Sequence, residues 1–169
     1  TGVKYDKKIH LIFSYLKERR SDLLFIQNSE SLAWLLNLRG KDYHYTPILF
    51  CFSLITNDKV YVFIEDKNIP IKLKNNFSKE IIFLAYSDIN KVLKQIKNKY
   101  AKILLDPEST SKFYYNLLSK VSKSIKFIED PIQKYKSVKN STEILNIKKA
   151  HLLDGIALCK FLYWIKNNK

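Results

Sequence analysis

Methionine is absent from this chain of 169 residues, cysteine occurs twice, and arginine is confined to Arg19, Arg20 and Arg39. A chain without an initiator methionine is expected to be a piece of a longer protein, with Thr1 not its natural start. The longest apolar run, Ile48 to Ile55, falls far short of the ~20 residues that a membrane helix needs, so no membrane partner is expected. No H-E-x-x-H, G-x-S-x-G, glycine-rich phosphate loop or zinc-ligand spacing occurs. Zincin, serine-hydrolase and P-loop chemistry are therefore excluded for these residues. The two cysteines, Cys51 and Cys159, lie far apart and form no C-x-x-C pair. They read as buried, reduced thiols of a cytoplasmic protein.

Basic residues number 30 against 16 acidic, a net charge of +14, which raises the question of nucleic acid. Almost all of the positive charge is lysine, spread along the chain. The arginine forks that read guanine or clamp phosphates are nearly missing. Abundant lysine, isoleucine and asparagine together are the mark of an AT-rich coding sequence. No nucleic-acid partner is expected.

The hydrophobic fraction, 46%, is that of a soluble globular protein, and the length supports one domain with a core. Tyr5 to Arg20 reads as an amphipathic helix, with Ile9, Ile12, Phe13 and Leu16 at helical spacing. Leu23 to Ile26 reads as a strand, and Ser29 as the cap of a helix over Glu30 to Leu36. Pro47 to Thr56 and Lys59 to Ile64 flank the turn signal Asn57-Asp58 and predict a hairpin. A polar connection, Glu65 to Asn76, contains the short apolar run Ile69 to Leu73. Beyond it, strands at Glu80 to Ala85, Lys102 to Leu105 and Ser124 to Ile128 alternate with helices. Ser87 is expected to cap one of these, whose stripe is Ile89, Val92, Leu93, Ile96 and Tyr100. Ser109 is expected to start the other, through about Lys120. Such alternation argues for parallel pairing. The fold class is thus α/β, a mixed, mostly parallel sheet of about six strands flanked by helices.

The last segment carries a separate message. Asn140 with Glu143 predicts a capping box. The helix that follows is apolar on nearly every side: Ile144, Ile147, Leu158, Phe161, Leu162 and Ile165 on one, Leu153, Ile156, Tyr163 and Trp164 on the other. Such a helix is expected to be buried, by another subunit or by a further part of the protein.

Few residues offer chemistry. His10 is expected at the surface of the first helix. His151 and Asp154 share a helix face at i and i+3, yet two groups do not close a metal site. The one dense polar cluster is Arg39, Asp42, His44 and Tyr45, on a connection that follows an apolar helix and precedes a strand. One reading has Arg39 and Asp42 pinning the loop while Tyr45 packs. The other has the four bordering a substrate entrance in an intact oligomer.

That cluster lies in the run S-L-A-W-L-L-N-L-R-G-K-D-Y-H-Y-T-P, Ser31 to Pro47. With its Trp34, Asn37, Arg39, Gly40, Asp42 and Pro47, the run resembles the non-catalytic middle domain of the three-domain Xaa-Pro aminopeptidases, members of the pita-bread metallopeptidases. Thr1-Gly2 with Lys7-Lys8-Ile9 resembles the opening of that domain. Asp130-Pro131-Ile132 and Lys136 to Glu143 resemble its link to the catalytic domain. Ala150-His151, Asp154-Gly155, Ile156 to Leu158, Phe161 and Trp164 resemble that domain's first helix.

The resemblance implies a creatinase-type domain over residues 1–138, with a linker and the first catalytic-domain helix over 139–169. It implies an accessory role in an enzyme that removes the N-terminal residue from peptides with proline second. Partners would be that peptide and a second copy of the protein. Two divalent metal ions, usually manganese, would be held by a catalytic domain following Lys169, and no catalytic or metal-binding residue carries over to this chain. This chain alone is expected to be inactive. Two other classes remain: a catalytically dead pita-bread relative serving as a binding module, as in a histone chaperone, and a creatinase or prolidase relative.

Overall fold

The computed structural model describes residues 2–65, 75–96 and 102–168. They divide into two compact units, Lys4–Ser137 and a second made of Thr1–Val3 with Val138–Lys169.

The larger unit is built on a six-stranded sheet. Its strands are β1 (Leu23–Ile26), β2 (Cys51–Ile55), β3 (Val60–Ile64), β4 (Ile81–Ala85), β5 (Lys102–Leu105) and β6 (Ser124–Phe127), in the order β4-β3-β2-β1-β5-β6. The β1–β2 and β2–β3 pairs are antiparallel, and β3–β4, β1–β5 and β5–β6 are parallel. The alternating second half of the sequence supplies the parallel pairs, as expected. The hairpin forms with Ile55 opposite Val60. Thr56 closes its turn: its hydroxyl donates to Asp58 Oδ1 (2.7 Å) and accepts from the Lys59 N–H (3.0 Å).

Every residue of β1 and β2 is buried, so both sheet faces need covering. The side-chain alternation of a strand divides them. Leu24, Ile26, Val60, Val62, Ile64 and Leu104 face one cluster, which holds Ile9, Ile12, Phe13 and Leu16 of helix α1 (Tyr5–Glu18) and Leu32, Leu35 and Leu36 of α2 (Ser29–Leu36). Ile132, from α5 (Pro131–Ser137), joins the same side. Leu23, Phe25, Phe52, Leu54, Phe63, Ile103 and Leu105 face the other, with Ile89, Val92, Leu93 and Ile96 of α3 (Ile89–Ile96) and Leu118 of α4 (Lys112–Ser119). Each fully buried leucine or isoleucine stabilises the fold by about 2 kcal/mol, so a sheet apolar on both faces holds its helices on both.

Local details depart from the sequence reading. The cap of α2 is Asn28, whose side chain accepts from the Glu30 and Ser31 N–H groups, and Ser29 is the first helical residue. Strand β2 starts at Cys51 rather than Pro47. Ser87 lies inside a 3-10 turn, Tyr86–Asp88, ahead of α3. Helix α4 starts at Lys112, because Asp106 holds the Glu108 N–H and the Ser109 hydroxyl in a turn first. The Ile69 to Leu73 run and Tyr100 lie outside the described residues.

The smaller unit is dominated by α6, Ser141–Asn167, 27 residues long. Its capping box is formed: Asn140 Oδ1 accepts from the Glu143 N–H (3.0 Å), and Glu143 Oε2 accepts from the Asn140 N–H (3.0 Å). Gly2, at φ 77°, packs where a Cβ would lie 2.7 Å from Asn140 Oδ1 and Thr142 Oγ1. No residue of α6 is buried. Leu153 is 68% exposed and Tyr163 72%. Cys159 is exposed as well, which corrects the expectation of two buried thiols. The expectation for this helix is cover by another subunit or by a further part of the protein, and among the described residues its apolar side chains have no core to join.

Candidate functional site

Helix α2 is short, and both of its ends are tied by side chains from elsewhere in the larger unit. At its start, the Ser29 hydroxyl donates to the Cys51 carbonyl (3.0 Å) and accepts from the Cys51 N–H (3.2 Å). Two residues on, the Ser31 hydroxyl donates to Asp130 Oδ2 (2.5 Å), while Asp130 Oδ1 accepts from the Ile132 N–H (2.8 Å). Asp130 is buried. Burial raises its carboxyl above the ordinary value, and these hydrogen bonds oppose the rise.

The exit of α2 is where the Trp34 to Pro47 wording takes physical form. Asn37 adopts the left-handed conformation (φ 54°) that ends a helix. Lys8, on α1, is 1% exposed. Its ammonium donates to the Trp34 carbonyl (2.7 Å) and to Asn37 Oδ1 (2.7 Å), and lies 4.1 Å from the centroid of the Trp34 ring. Arg39 Nη1 donates to the Ala33 carbonyl (2.9 Å), which also accepts from the Leu38 N–H (3.1 Å), and to the Leu38 carbonyl (2.7 Å), tying the loop back onto the helix end. Gly40 lies against the returning chain, and a Cβ there would stand 2.7 Å from the Ile48 carbonyl oxygen and the Leu49 Cα. Only glycine allows that approach.

Asp42 then staples the loop closed. Its N–H donates to the Ile48 carbonyl (3.3 Å), and its Oδ2 accepts from the Phe50 N–H (2.8 Å). Residues 47–50 are thus held by Asp42 and not by a strand partner, which is why β2 begins late. Between these fastenings the chain makes a tight turn, with an isolated bridge between Tyr43 and Thr46. His44 and Tyr45 sit at its tip. Tyr45 has φ 62° and is fully exposed.

Of the four sequence candidates, Arg39 and Asp42 therefore fasten the loop, and His44 and Tyr45 project from it. The expectation that Tyr45 packs is corrected: a left-handed backbone at the turn tip directs its ring outward. Tyr43 and Phe50 extend the exposed aromatic surface, their rings 6.3 Å apart edge to face. The Tyr86 hydroxyl donates to the Phe50 carbonyl (2.6 Å), and its ring stacks on Phe52. A shallow, open pocket of about 270 Å³ lies beside the loop, lined by Trp34, Arg39, Thr46, Pro47 and the Lys136–Glu30 ion pair (3.3 Å).

Burial, followed by the Asp42 charge, pushes the Cys51 thiol up to about 12. Burial first, then the nearby Cys51 and Asp42, likewise pushes the Tyr86 hydroxyl to about 12. Both groups stay protonated at neutral pH, so Cys51 is no nucleophile. His151 and Asp154 lie exposed on α6. Among the described residues no group of three or more His, Cys, Asp or Glu is placed to hold a metal ion. Among the same described residues no helix is long and apolar enough to cross a membrane. The arrangement can contact a partner molecule and shape a boundary.

Sequence reading missed Lys8 as part of this site. One signal was present: Lys8 and Ile12 are four apart on α1, so the lysine falls on the buried stripe rather than on the wet face.

Comparison with known proteins gives a consistent result. Residues 1–143 match the creatinase/prolidase N-terminal domain family. Xaa-Pro aminopeptidase 1 of Dictyostelium discoideum is 31% identical over 98% of this chain and 26% of its own length. Xaa-Pro aminopeptidase ApepP of Drosophila melanogaster is 30% identical over 99% of this chain and 27% of its own length. The chain thus spans about a quarter of these curated relatives. Among solved structures, the X-prolyl aminopeptidase of Caenorhabditis elegans, described as a cytosolic enzyme with a di-nuclear active site, superimposes with a TM-score of 0.84 at 24% identity, over 98% of this chain and 28% of that one. A Bacillus anthracis Xaa-Pro dipeptidase superimposes with a TM-score of 0.74 at 18% identity, over 95% of this chain and 44% of that one. At these identities the two structures speak for the fold.

Proposed function

The chain belongs to the creatinase/prolidase N-terminal domain family, and from that premise we propose that it is the accessory, non-catalytic part of a metal-dependent Xaa-Pro aminopeptidase. The parent enzyme removes the N-terminal residue from peptides with proline in the second position. Residues 1–138 form the creatinase-like domain, and residues 139–169 form the link and first helix of the catalytic domain. The observation that carries this reading is the extent of the likeness. It runs over 98–99% of this chain in relatives named Xaa-Pro aminopeptidases, well past the end of the larger unit and through α6.

In this reading the domain supports a cytoplasmic homodimer, and the loop with Arg39, Asp42, His44 and Tyr45 borders the substrate entrance. The fastened and projecting halves of that loop suit the role: one holds the position, and the other meets the peptide. Two divalent ions, manganese in this reading, supply the parent with Lewis-acid polarisation of the scissile carbonyl when bound. No group among the described residues fits such a site, so no step is routed through this chain.

The test is release of the N-terminal residue from an Xaa-Pro-Xaa peptide with manganese, by this chain and by the full-length protein side by side. Activity in the full-length protein alone is expected. Activity in neither favours a catalytically dead binding module, and activity in this chain alone overturns the accessory reading. Cleavage restricted to dipeptides marks a prolidase, whose fold is shared.

A further inference from the structure

Lys8 presents a physical puzzle. A buried ammonium is costly to desolvate, and a buried charged group is often replaced by an apolar side chain of similar volume without loss of stability. Yet Lys8 is among the largest fully buried side chains, placed where α1 meets the exit of α2. It donates to the Trp34 carbonyl and to Asn37 Oδ1, which belong to the last turn of α2 and its left-handed cap. The Trp34 ring covers the ammonium from a third side. A generic core contact would not converge on the two groups that set where the helix stops.

We propose that Lys8 is a positioning residue, a lock that fixes the α2 exit and through it the loop Arg39 to Pro47. The chain of contacts is continuous. Lys8 holds Asn37, and Asn37 sets the direction in which the chain leaves. Arg39 reaches back to Ala33 and Leu38, and Asp42 closes the loop on Ile48 and Phe50. The orientation of His44 and Tyr45 depends on this sequence of fastenings. Specificity of conformation, rather than net stability, is what the buried charge supplies. The consequence for catalysis rests on the reading that this loop borders the substrate entrance.

The test uses Lys8→Met, which keeps the length and apolar body of the side chain but removes the three donors. Asn37→Gly is the second variant, since it keeps a left-handed cap and removes Oδ1. Both are made in the full-length protein. Losing hydrogen bonds to a charged group is expected to speed amide exchange at Leu38, Asp42 and Phe50 by roughly ten- to a hundredfold, with exchange in β1 and β5 unchanged. KM for Xaa-Pro peptides is expected to rise while kcat stays near its original value. Exchange over residues 37–50 that stays slow in both variants overturns the lock. Faster exchange there with no change in KM keeps the lock and instead removes the loop from the substrate path; His44→Ala is then also silent.

Discussion

Helices α2 and α6 are made of similar residues and held in opposite ways. Helix α2 has eight residues, fewer than the ~12 that a helix needs to be even marginally stable alone. It exists because Ser29, Ser31, Trp34, Asn37 and Arg39 are bonded at its two ends and its Leu32, Leu35 and Leu36 are buried. Helix α6 has 27 residues, a complete capping box and no buried side chain. Among the described residues its supports are its length and its cap. The same apolar vocabulary thus yields a helix tied down by its neighbours in one place and one with only local signals beside it in the other. In the proposed reading, function in the larger unit is attached to the first kind, because a helix fixed at both ends can aim the loop that follows it.

The sharpest way to break the contrast is at the α2 exit. Gly40→Ala places a methyl group 2.7 Å from backbone atoms of Ile48 and Leu49, and backbone cannot step aside as a side chain can. A loss of about 3 kcal/mol in urea unfolding is expected. A loss under ~0.5 kcal/mol would mean that the loop is not seated as described.

The α2 entrance is tested by Asp130, through pH. Asp130→Ala leaves the Ser31 hydroxyl and the Ile132 N–H without their acceptor and is expected to cost about 1–3 kcal/mol. Asp130→Asn keeps both an acceptor and a donor and does not titrate. Burial raises the Asp130 carboxyl in the folded state. Its contribution is therefore complete below the unfolded value, near 3.8, and is lost as pH rises through the folded value. Wild type should accordingly lose ground to D130N as pH rises above about 4. A stability difference independent of pH would contradict the raised value.

Helix α6 offers the opposite experiment. A Cβ on Gly155 meets nothing within 4 Å, so Gly155→Ala should strengthen the helix by about 0.5–1 kcal/mol. Slower amide exchange around residue 155 would show it. A destabilised helix would point to a partner packed closely on that glycine.

The contrast also explains what was legible in the sequence. Strands, helix stripes, the hairpin and the Asn140–Glu143 box are local patterns, and each is read from neighbours a few residues apart. Lys8 and its partners are 26 and 29 positions apart, and Ser31 and Asp130 are 99 apart. No local pattern announces such pairs. The choice between Asn28 and Ser29 as cap turned on Ser29 being taken by Cys51, again a distant partner. Of the two readings of Tyr45, the packed one fails because its left-handed backbone points the ring outward, a conformation that no local pattern announces. The Trp34 to Pro47 wording was visible at once, but its sense as a helix stop followed by a staple needed the fold.

The smallest effect on stability is the most informative about function. His44 and Tyr45 are exposed at the turn tip, and no core contact depends on them. His44→Ala and Tyr45→Ala should leave unfolding within about 0.5 kcal/mol of wild type. In the full-length protein the same substitutions should shift kcat or KM on Xaa-Pro peptides, more for longer peptides, which reach further from the scissile bond. The two measurements separate the halves of the loop: Gly40 fails in folding before it can fail in function, whereas His44 has no part in folding to lose. If His44→Ala leaves kcat and KM both unchanged, the loop is a fastening alone, and the substrate boundary lies on another surface of the protein.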